Sequence, residues 1–292
     1  TPIVNAIYGP NALECTLSEL LPSFAAEVEK TGSLIGAAAA VRGNSPGPGS
    51  AVATLSGGLH TLIDALSSEC RSRGGMLRSN SPVTHLQRVG TTWSVVTSET
   101  TFHSPRVTLA CGLGATQALL DGHKELADIL RPLQAHATTI VLALVKDHVL
   151  NSFPLGTGAL VAKDFAGDLH ATTHANAKWE WLDDTLPADH HLIRLSFDSN
   201  LPPEDGQLKT AALQALTELY ATDLRNVQEL LPVRWEDNLV EHNPGSKALR
   251  NQLTEIAGHL GLDIRGALTS GNGLLAITQD VQRKENPWLT PA

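Results

Sequence analysis

The spacing of apolar residues changes several times along the chain, and each change marks an element. After an extended start, Leu17, Leu20, Leu21, Phe24, Ala25 and Val28 recur at helical spacing. Residues 1–41 therefore read as mostly helical, with Pro22 kinking or restarting the helix. The run Gly-Asn-Ser-Pro-Gly-Pro-Gly-Ser at 43–50 cannot hold the interior of a helix or a strand and reads as a mobile loop. Leu59, Leu62, Ile63 and Leu66 then fall on one face of an amphipathic helix. The alternation Trp93-Ser94-Val95-Val96 is that of a half-buried meander, with short strands expected at 76–78, 83–88, 92–97 and 107–110. Helices follow at about 115–121 and 123–130. The middle of the chain predicts strands at 137–146, 158–163, 168–174 and 191–198. The pattern from Gln207 to Leu231 is helical, Arg234-Trp235 closes a short strand, and a helix over 247–260 leads to a last strand over 263–268. This order predicts an α/β chain of α+β character, built as two intertwined lobes.

Composition narrows the function classes only a little. The chain has 292 residues, enough for one large or two ordinary domains, and a net charge of −9, which disfavours a groove for nucleic acid. Cys15, Cys70 and Cys111 are odd in number and widely spaced, so neither a disulfide framework nor a structural zinc site is expected. A reducing, cytoplasmic setting follows as the expectation. No apolar run reaches the ~20 residues of a membrane span; the longest, Ala137 to Val145, is short and rich in β-branched residues and reads as a buried strand. The histidines His170, His174, His190 and His191 invite a metal reading. On a strand, however, His170 and His174 stand ~13 Å apart, so no metal site is expected and packed or solvated histidines are the better reading.

A set of short motifs carries a resemblance. Pro2-Ile3-Val4-Asn5-Ala6-Ile7-Tyr8-Gly9 resembles a mid-chain stretch of the flavin-dependent protoporphyrinogen and coproporphyrinogen oxidases. Gly32-Ser33-Leu34-Ile35, Thr54-Leu55-Ser56-Gly57-Gly58-Leu59 and Gly156-Thr157-Gly158-Ala159-Leu160-Val161 follow in the family's order. So do Lys178-Trp179, Leu192-Ile193-Arg194-Leu195-Ser196, Arg234-Trp235 and Gly271-Asn272-Gly273. None is specific alone; their order and spacing over nearly the whole chain identify it as similar to this family.

The resemblance implies a partial FAD- and amine-oxidase-like flavoenzyme fold: a mixed-sheet substrate lobe with remnants of a discontinuous FAD lobe. It divides the chain into a helical part of the substrate region (1–75), a FAD-lobe meander with helices (76–132), a substrate lobe (133–235) and a C-terminal FAD-lobe strand and helix (236–292). It also implies FAD as cofactor, with Val83 on the adenine side, Trp235 near the flavin, and Gly271, Asn272, Gly273 and Leu274 at the ring system, where glycine lets backbone approach closely. The implied reaction is oxidation of protoporphyrinogen IX or coproporphyrinogen III to the porphyrin in heme biosynthesis, with O2 as acceptor. No residue is singled out as catalytic, because the cofactor carries the hard step. Peripheral contact with the inner face of a membrane and a homodimer are both left open.

Several positions depart from the family pattern. Gly112 stands where the family has proline, Val240-Glu241-His242 where it has Pro-Gln-Tyr, and Leu275 where it has the proline before the last helix. No GxGxxG follows a strand anywhere in the sequence, so the pyrophosphate-binding unit is expected upstream of Thr1 in a longer parent, and the 292 residues alone are expected to be inactive, at most a binding module.

Overall fold

A computed structural model describes residues 14–43, 52–161, 169–197 and 205–283. The extended start, most of the loop at 43–50, and the chain after Arg283 lie outside these residues. Strands β1 (Val83–Val89), β2 (Thr92–Thr97) and β3 (Thr101–Ser104) form an antiparallel meander. The short β4 (Val107–Leu109) follows. Then β5 (Ala135–Lys146), β6 (Gly158–Leu160), β7 (Leu169–His174), β8 (His190–Phe197) and β9 (Val227–Val240) build a five-stranded sheet in the order β6-β7-β8-β5-β9. Finally β10 (Leu262–Ile264) pairs with β4 in parallel.

Two apolar cores sit on this frame. The first joins the meander, the β4–β10 pair and the helices Leu113–Leu120, Lys124–Leu130 and Ser246–His259. Trp93 is its fully buried centre; its indole N–H donates to the Leu260 carbonyl at 2.9 Å, as a buried Trp requires. Leu253 and Ala257, one helical turn apart, press onto the same core. The second core lies between the five-stranded sheet and helix Asp205–Tyr220. Leu208, Ala212, Ala215, Leu216 and Tyr220 recur at helical spacing and meet Val141, Ala143, Val145, Ile193, Leu195 and Phe197 from alternate positions of β5 and β8.

Several expectations need correction. The substrate-lobe sheet, expected to be mixed, is antiparallel in every pairing among the described residues, where parallel pairing is confined to β4–β10. No strand forms at 76–78, where Met76 is 81% exposed and has no neighbour to pair with. The helix expected to reach Leu231 ends at Tyr220, and Val227–Val240 is instead one long strand. Pro232 is tolerated there because β9 is an edge strand, where alternate N–H groups face away from the sheet. The boundary expected at 235 therefore falls inside a strand. The last strand stops at Ile264, because Gly266 takes φ +104° and a short helix, Ala267–Ser270, begins. Proline 22 does restart the chain, as the first residue of helix Pro22–Thr31. The amphipathic helix materialises as His60–Ser72, yet Leu59, Ile63 and Leu66 remain more than half exposed.

The Gly-Thr-Gly motif has a steric reason. Gly158 opens β6 at φ +135°, and a Cβ there would lie 2.1 Å from the Thr172 carbonyl oxygen of β7. Gly158→Ala is expected to cost about 2–4 kcal/mol, from backbone strain and overpacking together. Urea denaturation of the variant measures this; a loss below about 0.5 kcal/mol contradicts it.

Candidate functional site

Ligands of parallel α/β sheets gather beyond the carboxyl ends of the strands. Here β4 delivers Ala110, Cys111 and Gly112 into helix Leu113–Leu120, and β10 delivers Arg265 and Gly266 into the segment around Gly271. Asp237, near the end of β9, reaches the first of these helices: its carboxylate accepts the Gly114 N–H at 2.6 Å, near the positive end of the helix. A Cβ on residue 112 would lie 2.4 Å from that carboxylate. The glycine that replaces the family's proline is thus the space into which Asp237 fits. On the other side, Arg265 bonds Asp263 at 2.7 Å and Asp280 at 3.1 Å, and Ser270 also donates to Asp280. These bonds fasten helix Leu274–Arg283 to the end of β10.

Between those fastenings, Gly271 and Gly273 take φ +99° and +101°, a region side chains disfavour. The Asn272 amide donates to the Val240 carbonyl at 3.1 Å, while its Oδ1 is buried without a hydrogen-bond partner. Leu274 is exposed at the start of the last helix. The Asn272–Val240 bond ties this loop to β9, and five residues earlier on β9 Trp235 stands 56% exposed. The structure therefore joins Trp235 and Gly271–Leu274 through one strand. Val83 is not part of this group: it opens β1 opposite Thr97 and belongs to neither core.

Sequence reasoning did not single out the outer face of the five-stranded sheet. Residues paired across an antiparallel ladder share a face. The face opposite the second core therefore carries the row Gly158–Thr173–Arg194–Leu142–Leu231, and the row beside it Leu160–Ala171–Ser196–Ile140–Val233. Leu160 and Leu231 are half exposed there, and Trp235, opposite Thr138, closes one end. The signal was present as the even-numbered apolar positions of β5, which a strand buried on one face alone would not need.

A model of the FAD dependent oxidoreductase (DAO) family matches residues 17–256. The chain belongs to the FAD dependent oxidoreductases. The fold of this oxidoreductase is shared with a candidate protoporphyrinogen oxidase from Exiguobacterium sp. 255-15 (TM-score 0.76, 21% identity), over 96% of this chain and 62% of that one. It is also shared with a reduced UDP-galactopyranose mutase (TM-score 0.58, 12% identity, 74% of this chain and 46% of that one). A fatty acid isomerase from P. acnes that produces CLA is similar at TM-score 0.57 and 14% identity, over 76% of this chain and 50% of that one. The chain thus spans about three fifths of the Exiguobacterium protein's length. No curated protein matches the sequence.

The family depends on FAD, and the residues at the β9 end of this oxidoreductase fit a flavin ring. An added Cβ at Gly273 would meet nothing within 4 Å, so backbone there is open to close approach, and the orphaned Asn272 Oδ1 is an acceptor in want of a donor.

The histidines of this oxidoreductase resolve into a packed pair. His174 and His191 are buried with ring centroids 5.0 Å apart, and His190 bonds the Ala188 carbonyl instead. Among the described residues no group of three or more His, Cys, Asp or Glu side chains could hold a metal. The bonds fix both tautomers. Asn176 accepts the Leu192 N–H through its oxygen, so its amide donates to His191 Nδ1 (3.3 Å). That nitrogen is therefore an acceptor, and His174 Nε2–H donates to it at 3.0 Å. His191 Nε2–H in turn donates to Asn151 Oδ1 at 3.1 Å. Burial lowers the pKa of His174 to about 4, helped by His191; burial lowers that of His191 too, against nearby carboxylates.

As pH falls below about 6.5 the unfolded chain takes up a proton on His174 that the folded chain refuses until about pH 4. Stability is whole above pH 6.5 and falls through the window from 6.5 to about 4, by on the order of 3 kcal/mol from this residue. Gln at 174 keeps a donor but does not titrate. Urea denaturation at pH 7.5, 5.5 and 4.5 is expected to show a steeper loss in the wild type than in His174→Gln; equal slopes contradict the assignment.

Proposed function

We propose that this FAD-dependent oxidoreductase oxidises a porphyrinogen, protoporphyrinogen IX or coproporphyrinogen III, to the porphyrin. The observation that carries this reading is the junction of the flavin loop with a broad apolar sheet face: Asn272 binds the end of β9, and the same strand sets Trp235 and Leu231 on that face. A flat surface of this breadth suits a macrocycle better than a chain-like substrate. The likeness to the Exiguobacterium protein, named for protoporphyrinogen oxidation, supports the same substrate class.

FAD, when bound, supplies the two-electron acceptor. Gly271, Asn272, Gly273 and Leu274 would hold its ring, and Trp235 would border it. The chain's own part is to seat the macrocycle against the sheet and exclude water from it. Conversion to the porphyrin would remove six electrons in three two-electron steps; the macrocycle would give up four hydrogens from its bridging carbons and two from its pyrrole nitrogens, and three O2 would leave as three H2O2. The test is to supply the protein, in its natural length and loaded with FAD, with each porphyrinogen under air. Porphyrin fluorescence is expected to rise with one of the two, accompanied by peroxide. Flavin-loaded protein that yields no porphyrin from either overturns the reading.

A further inference from the structure

Arg194 has no evident task in the fold. It lies on β8, the central strand of the five-stranded sheet, on the face turned away from the second core. Its lateral neighbours are Leu142 on β5 and Thr173 on β7; Leu192 and Ser196 flank it along its own strand. Among the described residues no carboxylate pairs with it. Lys146 and His190, opposite one another at the sheet's end, offer no carboxylate. Among the described residues the acidic one in register on this face is Glu229, on the edge strand β9 opposite Leu144. By strand spacing and rise it stands about 12 Å from Arg194, too far for an ion pair. Although the residue is exposed, the surrounding sheet already lowers its pKa by desolvation.

An exposed guanidinium on this face, without a counter-charge, contributes no ion pair to the fold. It becomes an asset when a ligand brings the missing anion, since its planar fork matches a carboxylate through two parallel hydrogen bonds. Leu142 beside it and Leu192 along its strand accept an apolar body, and Gly158, at the far end of the same row, leaves that row without a side chain to obstruct a flat one.

We infer that Arg194 is the specificity-determining residue of the substrate lobe and binds a propionate carboxylate of the macrocycle as its body lies on the sheet. The inference rests on the porphyrinogen reading and deepens it. It gives the guanidinium a task that its neighbours in the sheet do not, and it predicts that acid and ester forms of one macrocycle are told apart.

The stable product, protoporphyrin IX, and its dimethyl ester serve as probes, titrated into the purified chain and followed by porphyrin fluorescence. The diacid is expected to bind about tenfold more tightly than the ester, the worth of one charge-assisted bond. Arg194→Met, which keeps the stem and drops the charge, is expected to erase that difference, and Arg194→Lys to keep part of it. Equal binding of diacid and ester by the wild type overturns the inference while the porphyrinogen reading stands; so does a Met variant that still discriminates. Should the Met variant fail to fold, the wild-type comparison alone decides. Oleate, a chain-like acid, is the third probe. If it binds in an Arg194-dependent way while neither porphyrin form binds, both the inference and the porphyrinogen reading fall.

Discussion

The ladder between β5 and β9 is the constraint on which the rest depends. It runs antiparallel from Val145 opposite Val227 to Ala135 opposite Val240. Val141, Ala143 and Val145 at one end belong to the second core, whereas Val240 belongs to the first. One ribbon of backbone hydrogen bonds therefore serves both cores. Neither core can shift along it without a register slip, and a slip of one residue would turn every side chain to the wrong face.

The candidate site inherits its geometry from this ribbon. The far end of β9 carries Asp237 to the start of helix Leu113–Leu120 and the Val240 carbonyl to Asn272. The same strand lays Leu231 and Trp235 along the outer face of the sheet. The loop Gly271–Leu274 and the sheet face are thus joined through one strand. The exchange of proline for Gly112 reads as accommodation, since the space it frees is filled by a carboxylate that completes a helix start.

Much of this was legible in the sequence where one local rule dominates. The alternation Trp93-Ser94-Val95-Val96 gave β2 to the residue, because a meander strand with one buried face must alternate. Helix Ser246–His259 forms where a helix over 247–260 is expected. The reading broke where long-range pairing overrides local preference. Val227-Gln228-Glu229-Leu230-Leu231 has the composition of a helix, and only its place beside β5 makes it a strand. Met76-Leu77-Arg78 has the composition of a strand and finds no partner. Of the site, the glycines and Trp235 carried sequence signals through the family resemblance. Arg194 stood inside one of the short motifs but had no visible role, because its meaning lies in which residues the neighbouring strands set beside it, and among the described residues none of these is a carboxylate. The His174–His191 pair was hidden similarly: the spacing of His170 and His174 along one strand excluded a metal, but the real partner comes from the next strand.

The central claim is that the outer face of the sheet, joined by β9 to the flavin loop, is where the substrate lies. Amide hydrogen exchange of the chain with and without protoporphyrin IX tests it most directly. The account predicts that the porphyrin slows exchange along the edge strand β9 from Leu231 to Trp235 and in the loop Gly271–Leu274, and leaves the meander β1–β3 unchanged. Protection confined to the meander, or none on β9 at a saturating porphyrin concentration, would contradict it.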